Sequence, residues 1–160
     1  MDTVVPGTPE RIHNLMFASG FMKDFMSGEQ KLTGSCLAFV LVTLVANIFE
    51  SLDIQMSDWT PTSPDAPQGL LARNMSYIKP LNAPVGPKST KCEIRDEIVS
   101  CDFSEYVSTI STTRTPDVPS GGVFSVKTRT CVMWASVASS RVIVTTQVEW
   151  TGRSFIKGEW

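Results

Sequence analysis

The stretch "GVFSVKTRTCVMWASVASSRVIVTTQVEWT", residues 122–151, decides the fold. In its first half, 122–135, one parity carries Phe124, Val126, Thr128, Thr130, Val132 and Trp134, and the other carries Ser125, Lys127 and Arg129. In 140–151 Val142, Val144, Thr146, Val148 and Trp150 alternate with Arg141, Thr145, Gln147 and Glu149, with Ile143 the exception. Successive side chains of a strand point to opposite faces, so each run reads as a strand with one apolar face. The short link from Ala135 to Ser140 makes the two an antiparallel hairpin.

Upstream the period of two recurs. Runs rich in Val, Ile, Thr and aromatics near 54–60, 70–79, 88–99 and 105–114 are separated by clusters of Pro, Gly, Ser, Asn and Asp, which predicts a strand for each. The N-terminal part reads differently. Thr8-Pro9-Glu10 offers a capping hydroxyl, a proline for the first helical turn and an acid at the positive end of the dipole. Ile12, Leu15 and Met16, then Met22, Phe25 and Met26, recur at helical spacing, so two short amphipathic helices are expected ahead of the strands. The expected class is α+β, a curved antiparallel sheet with helices on one side.

A chain of 160 residues, 42% of them hydrophobic, builds a single core. Its net charge of −2 gives no field for nucleic acid, and no basic run holds an anionic membrane, so any membrane contact is brief or apolar. Cys36, Cys92, Cys101 and Cys131 show no CxxC pairing, and His13, the only histidine, cannot complete a zinc set; no metal site is expected. No basic n-region or small-residue cleavage site marks a signal peptide. The cysteines therefore read as buried thiols in a reducing compartment, and the Asn74-Met75-Ser76 sequon as chance. Asp96, Glu97 and Asp102 read as solvated strand-rim charges. With no nucleophile motif beside them, no enzyme is expected.

The inner face is a mixture. Ser108, Ile110, Thr112, Thr128, Thr130 and Thr146 alternate with large apolar residues, which makes the concave side neither an aliphatic core nor a polar channel. Threonine is also simply a good strand former, and the pattern alone leaves that reading open.

Three stretches stand out from residue 70 onward, "RNMSYIKPLNAPVGPKSTKCEIRDE" at 73–97, "TRTPDVPSGGVFSVKTRTC" at 113–131 and "VEWTGRSFIKG" at 148–158, with weaker ones "PERIHNLMF" at 9–17 and "DIQMSDW" at 53–59. In these the chain resembles the VASt domain, the StART-like domain of the fungal Lam/Ysp and animal Aster proteins. It implies a helix-grip fold, in which a curved sheet wraps a long C-terminal helix around a cavity for one sterol, ergosterol or cholesterol. It further implies non-vesicular sterol transfer at the cytosolic face of the endoplasmic reticulum, at membrane contact sites, within a parent protein that carries a GRAM domain and a membrane anchor. A lipid-sensing or interaction domain that uses the same cavity without transfer is the alternative.

A sterol buries ~500 Å² of apolar surface, worth roughly 12 kcal/mol, so a carrier must offer a comparable lining. Tyr77, Ile110, Phe124, Val126, Thr128, Trp134, Val144, Thr146, Val148 and Trp150 are the candidate lining residues, the inward hydroxyls serving the sterol's one polar group. The candidate membrane-contacting lid is the loop carrying Leu81, Asn82, Pro84, Val85, Gly86, Pro87 and Lys88. Its prolines and glycine favour a stiff preset loop, and in related domains this loop covers the cavity mouth. "TPDVPSGG" at 115–122 reads as a second rigid turn with a structural role.

Two features depart from the family pattern. Residues 33–52, "TGSCLAFVLVTLVANIFESL", form an atypical insertion whose apolar run, Cys36 to Phe49, is too short for a membrane span of about 20 residues. Gly34-Ser35, Ala46-Asn47 and Glu50-Ser51 can encode a donor, a branch point and an acceptor, so a retained intron is expected there, against a lengthened helix or a membrane-dipping insertion. The sequence also ends at Trp160, where family members continue into the long helix, so a single domain at 1–160 lacking that helix is expected.

Overall fold

Strands form where β-branched and aromatic residues alternate with polar ones, and in this chain they assemble one antiparallel sheet. The structure, a computed structural model, describes residues 1–18, 52–65, 67, 69–81 and 87–153. The expected second helix at 22–26, nearly all of the 33–52 insertion and residues 154–160 lie outside the described residues. The strands are β1 (Asp2–Pro6), β2 (Leu52–Met56), β3 (Thr60–Pro61), β4 (Leu71–Pro80), β5 (Ser89–Asp102), β6 (Tyr106–Arg114), β7 (Phe124–Ser136) and β8 (Ser139–Trp150). Their order is β1-β8-β7-β6-β5-β4-β2, with β3 also pairing β4. With the helix that covers part of one face, the architecture is α+β.

Helix α1 (Pro9–His13) starts as its sequence predicts: Thr8 is extended and its side chain accepts from the Arg11 N–H. The helix continues as a π turn, Asn14–Ala18. Between β1 and α1, Gly7 sits at φ +125°, where a side chain would be strained, and its N–H donates to the Ala138 carbonyl at 2.9 Å. β1 itself escapes a sequence reading, because five residues ending in proline carry little alternation. It gains its place by edge pairing with β8, Thr3 against Val142 and Val5 against Ser140.

The register sorts every long strand into two faces. On the face that α1 covers, one row runs Met75, Ile94, Thr113, Val126, Val148 and the next runs Arg73, Asp96, Ser111, Thr128, Thr146. A third runs Ile98, Thr109, Thr130, Val144. Val132, Val142 and Val144 pack with Val5 and Ile12 as a buried cluster, with Met16 against it. The face assignments read from β7 and β8 match this register.

Those read from β6 do not. Ser108, Ile110 and Thr112 stand on the opposite face, in rows such as Glu97, Ile110, Arg129, Thr145. In "VSTISTTR" each parity carries small hydroxyls and a single aliphatic residue, Val107 or Ile110, so the pattern selects neither face.

Candidate functional site

The helix face divides into two neighbouring halves. Toward the β7–β8 turn it is closed by α1 over Val132, Val142 and Val144. Toward the other end, Thr128 and Thr146 share a hydrogen bond at 3.3 Å, and beyond them lie Val126 and Val148, then Phe124 and Trp150. The two rings pack with centroids 5.3 Å apart. Val148 is 48% exposed although its parity is apolar. The result is an open apolar strip with a hydroxyl pair at its inner end and an aromatic pair at its outer end.

Tyr77 lies on the same face, buried with Met75, Cys92 and Ile94. Burial first, then a hydrogen bond to Cys92, pushes its hydroxyl well above the usual tyrosine range, so it remains a neutral phenol at any physiological pH. The structure thus brings Phe124, Val126, Thr128, Thr146, Val148 and Trp150 together and sets Tyr77 on the same face. Val144 belongs instead to the core beneath α1. Trp134 shares the face by register but stands near the β7–β8 turn, where its Nε1–H donates to the Phe103 carbonyl at 3.0 Å. Ile110 is excluded, because it occupies the opposite face.

Of the lid residues, Leu81 is half-buried, and its N–H donates to the Lys88 carbonyl at 2.7 Å, closing the neck of the loop. Pro87 and Lys88 are exposed. Asn82, Pro84, Val85 and Gly86 lie outside the described residues. At the second turn, a Cβ on Gly121 would fall 1.9 Å from the Thr115 carbonyl oxygen, so the backbone there passes too close for any side chain.

Sequence reasoning missed a buried polar cluster on the helix face. Asp96, expected at a solvated rim, is only 4% exposed. Its Oδ2 accepts from Arg73 Nε at 2.9 Å and its Oδ1 from Ser111 Oγ at 2.6 Å. Arg73 Nη1 reaches on to the Phe17 carbonyl at 2.8 Å, with the guanidinium 4.6 Å from the Trp59 ring centroid. The signal was parity: Arg73 alternates in step with Met75 and Tyr77, and Asp96 with Ile94 and Ile98. Glu97 and Asp102 do sit nearer solvent. Cys92 is a buried thiol as expected, whereas Cys101 and Cys131 are only half-buried, and Cys36 lies outside the described residues.

The opposite face is charged. A hollow of about 780 Å³ opens there, lined chiefly by Asn74, Ser76, Glu93, Arg95, Thr112, Arg114 and Lys127. Ion pairs Lys91–Glu93, Arg95–Glu97 and Lys127–Glu149 span its surroundings at 2.9–3.1 Å. Such a surface suits water and ions. Among the described residues no group of His, Cys, Asp and Glu is placed to hold a metal, and no helix is long and apolar enough to cross a membrane.

The family model for the VASt domain, the VAD1 analog of the StAR-related lipid transfer domain, matches residues 1–159. The chain belongs to the VASt family. It is 46% identical over 153 residues to the membrane-anchored lipid-binding protein LAM5 of Saccharomyces cerevisiae, covering 94% of this chain and 20% of that protein. It is 41% identical over 86 residues to an uncharacterized membrane protein of Schizosaccharomyces pombe, covering 54% of this chain and 11% of that one. The VASt chain therefore spans about a fifth or less of the length of either relative. Family membership and the open apolar strip agree on lipid binding as the domain's activity.

Proposed function

We propose that this VASt domain binds one sterol, ergosterol or cholesterol, against its helix face and transfers it between membranes. The observation that carries the reading is the open strip itself: Phe124, Val126, Val148 and Trp150 offer apolar surface, and the Thr128–Thr146 pair ends it with neutral hydroxyls. A sterol has the matching form, a long rigid apolar body with a single hydroxyl, and its burial supplies roughly 12 kcal/mol at the usual area coefficient. Among the described residues, Arg73, in the row of the Thr128–Thr146 pair, is engaged by Asp96, and Lys79 stands at the far end of the face beside Thr90, so a phosphate headgroup at the threonine hydroxyls would meet no free cation in their own row.

The domain acts as a binding module and not as an enzyme, and it needs no cofactor. In the helix-grip arrangement that the family resemblance implies, a long helix closes such a strip into a cavity. LAM5 is named as membrane-anchored, and a parent protein with a GRAM domain and an anchor would hold this domain at the cytosolic face of the endoplasmic reticulum, at membrane contact sites. The loop carrying Leu81 and Val85 is the bilayer contact and lid.

Binding and transfer separate in one experiment. Leu81→Asp with Val85→Asp opposes insertion of the loop, so sterol transfer between neutral liposomes should slow several-fold while equilibrium affinity for a soluble sterol analogue stays unchanged. Normal transfer by the double variant would show that the loop is not the membrane contact. Tight sterol binding without any transfer by the unmodified chain would instead identify a sensing domain.

A further inference from the structure

Helix α1 and its π turn are fastened to the sheet by a buried set of polar contacts that lipid binding does not use. The Phe17 carbonyl accepts from both Arg73 Nη1 at 2.8 Å and Trp59 Nε1 at 3.4 Å. Arg73 is held in turn by Asp96, and Asp96 by Ser111. One turn earlier, His13 is 4% exposed, its Nε2 3.3 Å from Thr109 Oγ1 and its ring against Phe17 and Phe103 at 5.1 and 6.0 Å. Its Nδ1 is buried with no hydrogen-bond partner among the described residues. That orphan matters chemically. A neutral imidazole leaves one ring nitrogen without a proton, which a closed apolar wall tolerates, whereas an imidazolium has two N–H donors and needs an acceptor for each.

We propose that Arg73, Asp96 and His13 form an acid-sensitive latch that fastens α1 and its π turn to the sheet, and that its release widens the lipid-binding face. This rests on the functional reading above and concerns the regulation of that same site, because the helix closes the half of the face adjoining the open strip. Among the described residues the charged and titratable groups around the latch are few. β4 offers Arg73, β5 offers Asp96 and, at its end, Cys101 and Asp102, and α1 itself carries the exposed Glu10 and Arg11. β6, β7 and β8 present Thr109, Ser111, Thr130, Ser140 and apolar residues toward the helix. Asp96 is already engaged by Arg73 and Ser111, so among the described residues no free carboxylate stands ready for a protonated His13, and Arg73 repels it.

Burial, and then the Arg73 charge, hold the His13 pKa below the usual histidine value. A base with a depressed folded-state pKa is protonated first in the released form. Its contribution is therefore complete above about pH 6.5 and lost as the pH falls below that value.

Hydrogen exchange of the full chain reads the latch without any lipid present. Between pH 7.5 and 5.5, after correction for the intrinsic pH dependence of exchange, protection of residues 11–17 should fall relative to β7 and β8, with a slope approaching the limit of about tenfold per pH unit for one proton. In His13→Gln, which stays neutral and keeps an amide near Thr109, that slope should vanish. In Arg73→Lys, which loses the planar fork, the helix should exchange faster at both pH values. A parallel measurement follows the release of a preloaded fluorescent sterol, which should speed up with the same pH profile. A slope that persists in His13→Gln, or strands that lose protection together with the helix, overturns the latch. Helix opening with an unchanged sterol release rate overturns its role as a gate. A chain that holds no sterol at either pH overturns the functional reading, while the helix measurement still judges the latch.

Discussion

Val148 and Gln147 are neighbours on β8 with opposite fates if a lipid occupies the helix face. Val148 is 48% exposed and belongs to the row Met75, Ile94, Thr113, Val126, Val148. Gln147 is exposed on the opposite face, paired with Lys127. Full burial of a valine side chain is worth at least about 1.5 kcal/mol, so covering the exposed half of Val148 by ligand contributes close to 1 kcal/mol. Val148→Asp loses that and must also desolvate a carboxylate. Neutralising it instead, from a pKa of about 3.9 at pH 7, costs roughly 4 kcal/mol, which caps the penalty. The expected loss is about 2–5 kcal/mol, a weakening of sterol affinity by a factor on the order of 30 to several thousand. Gln147→Asp adds a solvated charge beside Lys127 and should change both affinity and stability by less than about 1 kcal/mol. Titration of both variants with a fluorescent sterol decides, with thermal unfolding as the control that both remain folded. Equal losses in the two variants, or normal affinity in Val148→Asp, would refute the assignment of the lipid to this face.

Two further substitutions test the framework. Gly121→Ala should cost about 3 kcal/mol and lower Tm by roughly 10 °C, because the new methyl meets the Thr115 carbonyl oxygen at 1.9 Å, whereas Gly122→Ala has nothing within 4 Å and should be silent; an unchanged midpoint for Gly121→Ala would contradict the turn geometry. Val144→Ala, in the core beneath α1, should lower stability by on the order of 2 kcal/mol yet leave sterol affinity within about twofold in the folded protein, and a selective loss of binding would move Val144 into the site.

What the sequence revealed depended on contrast between parities. In β7 and β8 one parity is mostly aliphatic and aromatic and the other largely charged or polar, so strand, hairpin and face were all legible, and the strip residues Phe124, Val126, Thr128, Thr146, Val148 and Trp150 follow from these two strands by alternation alone. β6 offered no such contrast, and Ile110 was placed on the wrong face. Asp96 was misjudged for a different reason: a charge at an apolar parity implies a partner, and that partner, Arg73, lies 23 residues away on β4, where only the register brings the two together. His13 was read only as a missing zinc ligand. Its burial depends on Thr109 and Phe103, nearly a hundred residues downstream, which no local pattern reports. β1 was invisible because an edge strand of five residues is held by its neighbour and not by its own alternation.

The most direct test of the account is the identity of the lipid that this chain carries. Purified from cells that make sterol and analysed by native mass spectrometry with lipid extraction, the chain should hold one sterol per molecule, and Val148→Asp purified alongside it should hold almost none. A phospholipid in the sterol's place, or equal sterol in both proteins, would contradict the claim that the open strip between the Thr128–Thr146 pair and the Phe124–Trp150 pair is a sterol site.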